Sequence, residues 1–345
     1  MARPLRVDVE GGWYHITSRG IERRTIFEDA RDHGHFLDLL EEMSDRYGVE
    51  IHAYVMLGNH YHLLIRAPQA NASKAIQWLN VSYSVWFNKR RERVGHVFQG
   101  RFTSALIDGD GAWALSASVY VHLNPIRTKR FGLGKKANRV EARGLKAPNR
   151  EEIKKRLREL RTFRWSSFPA YAGYRLAPPW LQTTELTRRA GGKKRYRRRV
   201  QEHATRGSAP EGFEDWQGRL ALGSVEFQSK IKEWVGKVTG EHLGRQQLAP
   251  APVSLARVVE VVEKQRGASW EQFSQRHGDW GRELVLYLAR QRSGLTLRQI
   301  GAGLGGMEYK AASHAIRRFA ASLPDDATRR SAVSACLTEL AIGET

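Results

Sequence analysis

The chain has 345 residues, 41% of them apolar, which suffices for two or three buried cores and excludes a disordered chain. Lysine and arginine number 57 against 36 aspartates and glutamates, a net charge of +21. Such a surplus calls for a polyanionic partner, nucleic acid first and an anionic membrane surface second. No run nears the roughly 18 apolar residues needed to span a bilayer, and "MARPLRVDVEGGWYH" lacks the apolar core of a signal peptide. Cys336 is the only cysteine, which excludes an internal disulfide and a cysteine-built zinc site. The expectation is a cytoplasmic, nucleoid-associated protein with no membrane partner, in which Cys336 is a small buried apolar residue.

In chain order, residues 7–18 read as a strand broken by a Gly-Gly turn. The segment 30–48 carries Phe36, Leu37, Leu39, Leu40 and Met43 at helical spacing and stops at Gly48. Strands follow at 49–57 and 60–67, joined by a Gly-Asn turn and closed by Pro68. Residues 73–92 form an amphipathic helix with a basic end, 95–108 read as extended chain, and 110–128 begin as a helix that Pro125 ends or kinks. The order predicts an α+β domain with a largely antiparallel sheet. Residues 129–162 are basic and poor in aromatics and read as an insertion or arm. "FRWSSFPAYAGY" (163–174) is expected to pack back on the first domain. "GGKKRYRRRV" (191–200) is a dense basic run, "RGSAPEG" and "LAPAPVS" read as linkers, and 253–341 read as all helical. The expected units are 1–128 with 163–181, the insertion 129–162, a basic connection 182–250, and a helical domain 251–345.

Within "GNHYHLL" (58–64), His60 and His62 project from one face of a strand, about 7 Å apart along it, while Tyr61 points to the other face. Two imidazoles on one face can ligate one divalent metal. They equally serve as histidines that bind nothing, and a third group decides. "SVYVHLNPIR" (118–127) offers one: Tyr120 and Asn124 are four apart and share a helical face. Asn124 would complete a His-His-Asn metal site and Tyr120 would stand beside it as a nucleophile; the plainer reading of Tyr120 is a core aromatic with a hydrogen-bonded hydroxyl. His122 falls on another face, with a structural or DNA-contacting role.

The motifs "GGWYHITSRG", "IHAYVMLGNHYHLLIRAP", "GHVFQGRF", "YVHLNPIRT" and "WSSFPAYAG" follow one another as in the REP-associated tyrosine transposases, relatives of the single-strand insertion-sequence transposases. The resemblance covers roughly residues 5–128 and 163–235. It implies that His60 and His62 are the metal-binding pair, Tyr120 the catalytic tyrosine and Asn124 the polar residue one turn later. Two departures stand out: residues 129–162 are an enlarged insertion, and Gly58 takes a place usually held by proline. A cation neutralises the diester charge and orients the phosphate; Mg²⁺ or Mn²⁺ is expected, the histidines suiting Mn²⁺ at least as well. The resemblance further implies attack by Tyr120 on phosphorus, a 5′-phosphotyrosine and a free 3′-hydroxyl that can attack back without ATP.

An unpaired strand calls for basic and aromatic residues. Candidates are Arg19, Arg23, Arg24, Lys89, Arg90, Arg91, Gln99 and Arg101, with Lys193, Lys194 and Arg195 in the basic run as a nonspecific phosphate grip. "SGLTLRQIGAGLGGMEYKAASHAIRRFA" (293–320) reads as two helices about a Gly-Gly turn, with Leu297, Ile300 and Leu304 inward, a helix-turn-helix pattern. It resembles the DNA-binding domain of the replication initiator DnaA, which implies that Lys310, Ala311, Ser313, His314 and Arg317, together with Arg298, lie near duplex DNA. The expectation is a metal-dependent enzyme, monomer or homodimer, that cuts and rejoins single-stranded DNA at hairpin repeats. The alternatives are a catalytically silent, sequence-specific DNA-binding regulator and a metal hydrolase that uses water.

Overall fold

The computed structural model describes residues 7–133, 148–210, 212–213, 219–239, 253–276, 279–293 and 295–342. Residues 134–147 of the expected insertion and 248–252 of an expected linker lie outside them. Strands β1 (Gly12–Arg19), β2 (Glu50–Leu57), β3 (His60–Ala67), β4 (Thr103–Ile107) and β5 (Ala221–Leu222) form one sheet in the order β2-β3-β1-β4-β5. All neighbours are antiparallel except β4 and β5, which run parallel. The histidine strand β3 is therefore bonded along both edges, which fixes its register. His62 lies opposite Thr17 and Val55, and His60 opposite Arg19 and Leu57.

The alternation of β3 sorts the two layers. Tyr61, Leu63 and Ile65 join Tyr14, Ile16, Phe36, Leu40, Leu79 and Tyr83 in one core cluster, covered by α1 (Ala30–Tyr47) and α2 (Ala72–Arg90). Leu64 joins Trp13, Ala53 and Val55 in a second cluster under α3 (Trp113–Leu123). On β2 a register shift between Ile51 and Ala53 lets Ile51 and Tyr54, of opposite parity, face the same layer. Helix α1 begins at a capping box between Asp29 and Asp32 and ends at Gly48, whose φ of +66° suits glycine. From Ala117 to Leu123 every residue of α3 is buried, as a helix enclosed by the core requires. Pro125 falls in the single 3₁₀ turn Asn124–Ile126 that follows it. The sequence reading of 95–108 as extended chain holds only from Thr103; before it a loop makes one bridge, Gly20 to Phe98.

The basic stretches do not stand apart from this core. Helices α4 (Arg150–Thr162), α5 (Phe168–Tyr171), α6 (Thr184–Arg189) and α7 (Lys193–Arg206) contribute Leu160, Phe168, Tyr171, Leu186, Tyr196, Val200 and Ala204 to the second cluster. Arg156 is buried where α4 meets α7, donating to the carbonyls of Phe131 (3.1 Å) and Ala204 (3.2 Å). Charges dominate α7, but Tyr196, Val200 and Ala204 recur every fourth residue and form its inner stripe. Helix α8 (Val225–Thr239) follows β5.

Helices α9 (Leu255–Arg266), α10 (Trp270–Ser274), α11 (Gly281–Arg292), α12 (Leu297–Gly303), α13 (Tyr309–Ser322) and α14 (Ala327–Ile342) enclose a third core, with Leu297, Ile300 and Leu304 inward and Cys336 fully buried. Burial pushes the Cys336 thiol up to about 11. This bundle is anchored to α1. Arg290, 6% exposed, donates to the Asp45 carbonyl at 2.7 Å, and Ser313 Oγ donates to Asp45 Oδ1 at 2.5 Å. Arg317 pairs with the same carboxylate and, at 3.7 Å, with Glu41. Arg292 reaches Glu10 at 3.3 Å. Among the described residues, no helix is long and apolar enough to cross a membrane.

Candidate active site

The face of β3 that carries His60 and His62 is the face covered by α3, and this brings Tyr120 to the histidines. The Tyr120 ring lies 6.1 Å from the His62 ring and 5.5 Å from that of His15, edge-on to both. The two β3 imidazoles are 5.1 Å apart by ring centroids. His15, on the neighbouring strand, stacks on His62 at an interplanar angle of 6°, with Nε2 3.0 Å from His62 Nδ1.

Each expected ligand spends one polar atom on the protein. His60 Nδ1 is 2.7 Å from Asn59 Oδ1, an oxygen that can only accept, so Nδ1 donates and the lone pair sits on Nε2. His62 Nδ1 is engaged by His15. Asn124 donates from Nδ2 to the carbonyls of Tyr120 (2.9 Å) and Val121 (3.3 Å), capping α3 and leaving Oδ1 for another partner. Two Nε2 atoms and one amide oxygen are the donor set that an ion of the Mg²⁺ or Mn²⁺ class accepts, with oxygen from phosphate or water to fill the rest. Burial, reinforced by the Arg19 charge, lowers the pKa of His60 to about 4, and burial lowers His62 well below its ordinary value. Both imidazoles are therefore neutral near pH 7, the form that ligates metal. Among the described residues no three His, Cys, Asp or Glu side chains form a metal cluster, so a site here depends on the amide.

Tyr120 is 6% exposed. Phe213 stacks on its ring at 5.2 Å and 29°. Arg127 places its guanidinium carbon 5.1 Å from the centre of the same ring. His122 turns away, bracketed by Ser167 Oγ at 2.7 Å and Tyr196 Oη at 2.8 Å. Ser167 also bonds both the N–H and the carbonyl of Tyr54, so this buried chain locks the tyrosine helix to β2 and α7. His122 is structural and does not reach DNA.

The DNA-contact candidates divide. Arg19, exposed at the end of β1, pairs across from His60. Arg23 and Arg24 are exposed; Arg24 pairs with Glu22 at 2.7 Å, and Asn59 Nδ2 donates to the Arg23 carbonyl at 3.0 Å. Glu22 and Arg23 both hold positive φ, 52° and 62°, a local strain beside the histidine turn. Lys89, Gln99, Arg101, Lys193, Lys194, Arg195, Arg298, Lys310 and His314 are exposed. Four candidates are corrected. Arg90 is held by Asp29 at 2.8 Å and by buried Asp32, and Arg91 is held by Glu28, Asp29 and Asp32, so these arginines join α2 to α1. Ser313 and Arg317 are spent on Asp45; these two members of the set assigned to duplex DNA are docked on α1.

Sequence reasoning missed His15, Arg127 and Phe213. His15 needed the register of β1 on β3. Arg127 carried a signal, since it lies three residues beyond Asn124, one turn along. Nothing local marked Phe213.

Residues 8–122 match the family model described as "Transposase IS200 like". The matched segment spans His15, both β3 histidines and Tyr120; Asn124, Arg127 and the later helices lie beyond it. A solved structure of a REP-associated tyrosine transposase bound to a REP hairpin is similar at 18% identity, over 52% of this chain and 89% of that one, with a TM-score of 0.36. No curated protein matches the chain.

Proposed function

We propose that the IS200-like transposase domain cleaves and rejoins single-stranded DNA through Tyr120, next to a divalent ion held by His60, His62 and Asn124. The observation that carries this reading is the position of one phenol beside a neutral imidazole pair and one arginine: the Tyr120 ring is 6.1 Å from that of His62 and 5.1 Å from the Arg127 guanidinium carbon. A bound Mg²⁺ or Mn²⁺ would supply charge neutralisation and orientation of the phosphate. The chain's own groups do the rest. Tyr120 Oη bonds to phosphorus as the bond to the 3′ oxygen breaks; the phenolic proton passes to water and the departing oxygen takes one up. A 5′-phosphotyrosine and a 3′-hydroxyl result. The reverse attack restores a diester and frees Tyr120, and because one ester replaces another no nucleotide hydrolysis is needed. Arg127, with its guanidinium carbon 5.1 Å from the centre of the Tyr120 ring, would stabilise charge on the phosphate and on the departing phenolate.

The motif resemblance makes hairpin repeats the expected substrate. Phosphates would lie against Arg19, Arg23, Arg24, Gln99 and Arg101 near the histidines and against Lys193, Lys194 and Arg195 on α7. The helical bundle would hold duplex DNA through Arg298, Lys310 and His314, the exposed polar members of its expected contact set.

One observation favours the competing reading of a silent DNA-binding regulator: Phe213 stacks on the Tyr120 ring, and Tyr120 is only 6% exposed. Incubating a labelled hairpin-bearing single strand with Mn²⁺ and resolving the products on a denaturing protein gel separates the readings. A labelled band supports the tyrosine nuclease, cleavage without a band supports a water nucleophile, and binding with neither supports the regulator.

A further inference from the structure

Behind the histidine strand, on the layer opposite Tyr120, lies a groove of about 950 Å³ between α2 and the loop leading into β4. Its α2 wall is Val81, Ser84, Val85 and Asn88, one helical face. Val81 is 56% exposed and Val85 64%, and Val94 stands exposed beside the groove; these are three of the six exposed large apolar side chains among the described residues. Exposed apolar groups gathered in one place mark a binding surface. The opposite wall includes Phe98 and Phe102, and the basic side chains are His96, Arg101 and Arg219; among the described residues no carboxylate lines the groove.

The groove is joined to the candidate active site through two routes. Asn80, in its wall, accepts the Tyr61 hydroxyl at 2.6 Å, and Tyr61 is the residue between the two histidines. Gln99, on the far loop, donates its backbone N–H to the Arg19 carbonyl at 2.7 Å, and Arg19 lies opposite His60. A strand that passes His60 and Arg19 meets the loop at Gln99 and reaches the groove rim at Arg101.

We propose that this groove takes a few unpaired nucleotides of the DNA strand that occupies the histidine site. The inference rests on the single-strand reading above and adds where the strand goes. Apolar walls suit base faces, which are available in an unpaired strand and hidden in a duplex. Amide and hydroxyl groups suit base edges, and a cationic rim suits phosphates. A second copy of the chain is a poor occupant, because a self-complementary interface sets Arg101 and Arg219 of each copy against the same cations of the other.

The test uses the full chain with Mn²⁺ and a fluorescent oligonucleotide carrying the hairpin and unpaired flanks. The double variant Val81→Asp, Val85→Asp places charge on exposed positions and leaves the core untouched. Its affinity for the unpaired strand is expected to fall about tenfold or more, with Mn²⁺ affinity and circular dichroism unchanged. Replacing two or three consecutive flanking bases by abasic sites is expected to weaken binding to the wild type and not to the variant. Arg219→Glu supplies a second, independent loss. Unchanged affinity in both variants overturns the proposal, as does an abasic penalty of equal size in wild type and double variant. So does self-association of the wild type that the double variant abolishes without loss of DNA affinity, which makes the groove a protein interface. A groove-dependent affinity in a protein that forms no covalent DNA adduct would remove the nuclease reading and leave the groove standing.

Discussion

His15 Nε2 and His62 Nδ1 lie 3.0 Å apart across two paired strands, with their rings stacked at 6°. A ligand imidazole whose second nitrogen is held by a neighbour keeps both its tautomer and its aim. Where His15 Nε2 accepts from His62 Nδ1, the His62 lone pair sits on Nε2. His15→Ala is therefore expected to weaken Mn²⁺ binding by roughly 10–100-fold, while His15→Gln, which keeps an acceptor, retains part of it. Isothermal titration of the DNA-free protein reads this directly. Equal affinity in wild type and His15→Ala would remove the positioning role.

Arg127 sits beside the Tyr120 ring rather than in the expected ligand set. Arg127→Ala should slow cleavage at saturating DNA by about 10²–10³-fold and change strand affinity little. Arg127→Lys should recover part of the rate, and added guanidinium should rescue the alanine variant. A loss confined to affinity would make Arg127 a phosphate grip only.

Asp45 gathers Arg290, Ser313 and Arg317 from two helices of the C-terminal bundle. Asp45→Lys sets a cation against these groups and should undock the bundle. Calorimetry is expected to show melting separate into two transitions, and duplex affinity should rise as Ser313 and Arg317 are released. A variant that melts as the wild type does, with unchanged duplex affinity, would show that docking does not control that face.

Burial pushes the His122 pKa down to about 3 from an ordinary value near 6.5. The folded protein thus keeps His122 neutral where the unfolded chain binds a proton. Above pH 6.5 the two states do not differ; as pH falls from 6.5 toward 3 the unfolded state gains protons and stability drops. His122→Gln should cost about 1–3 kcal/mol at pH 7 through the loss of its bonds to Ser167 and Tyr196, yet flatten the decline over that window. Urea midpoints at several pH values check both parts, and parallel curves for the two proteins would contradict them.

How much could be read in advance depended on how local the signal was. His60 and His62 on one strand face and Tyr120 and Asn124 on one helical face are short-range periodicities, and the sheet order then brought the tyrosine helix over the histidines. His15 depends on strand register, and Phe213 on a chain return 93 residues after Tyr120; neither has a local pattern. The charges of 191–200 hid the stripe of Tyr196, Val200 and Ala204, so a core helix read as a connection. The resemblance to the DnaA DNA-binding domain implies Ser313 and Arg317 as DNA contacts, but polar groups on an amphipathic helix suit DNA or a carboxylate equally. Only the fold shows Asp45 opposite them.

The most direct test of the account is covalent capture. Wild type and Tyr120→Phe, which removes the hydroxyl alone, would be incubated with Mn²⁺ and a hairpin-bearing single strand carrying label on the 3′ side of the cut. The predicted result is a labelled protein band in the wild type that disappears in the variant and with EDTA. Cleavage of the strand by Tyr120→Phe at the wild-type rate would contradict a tyrosine nucleophile.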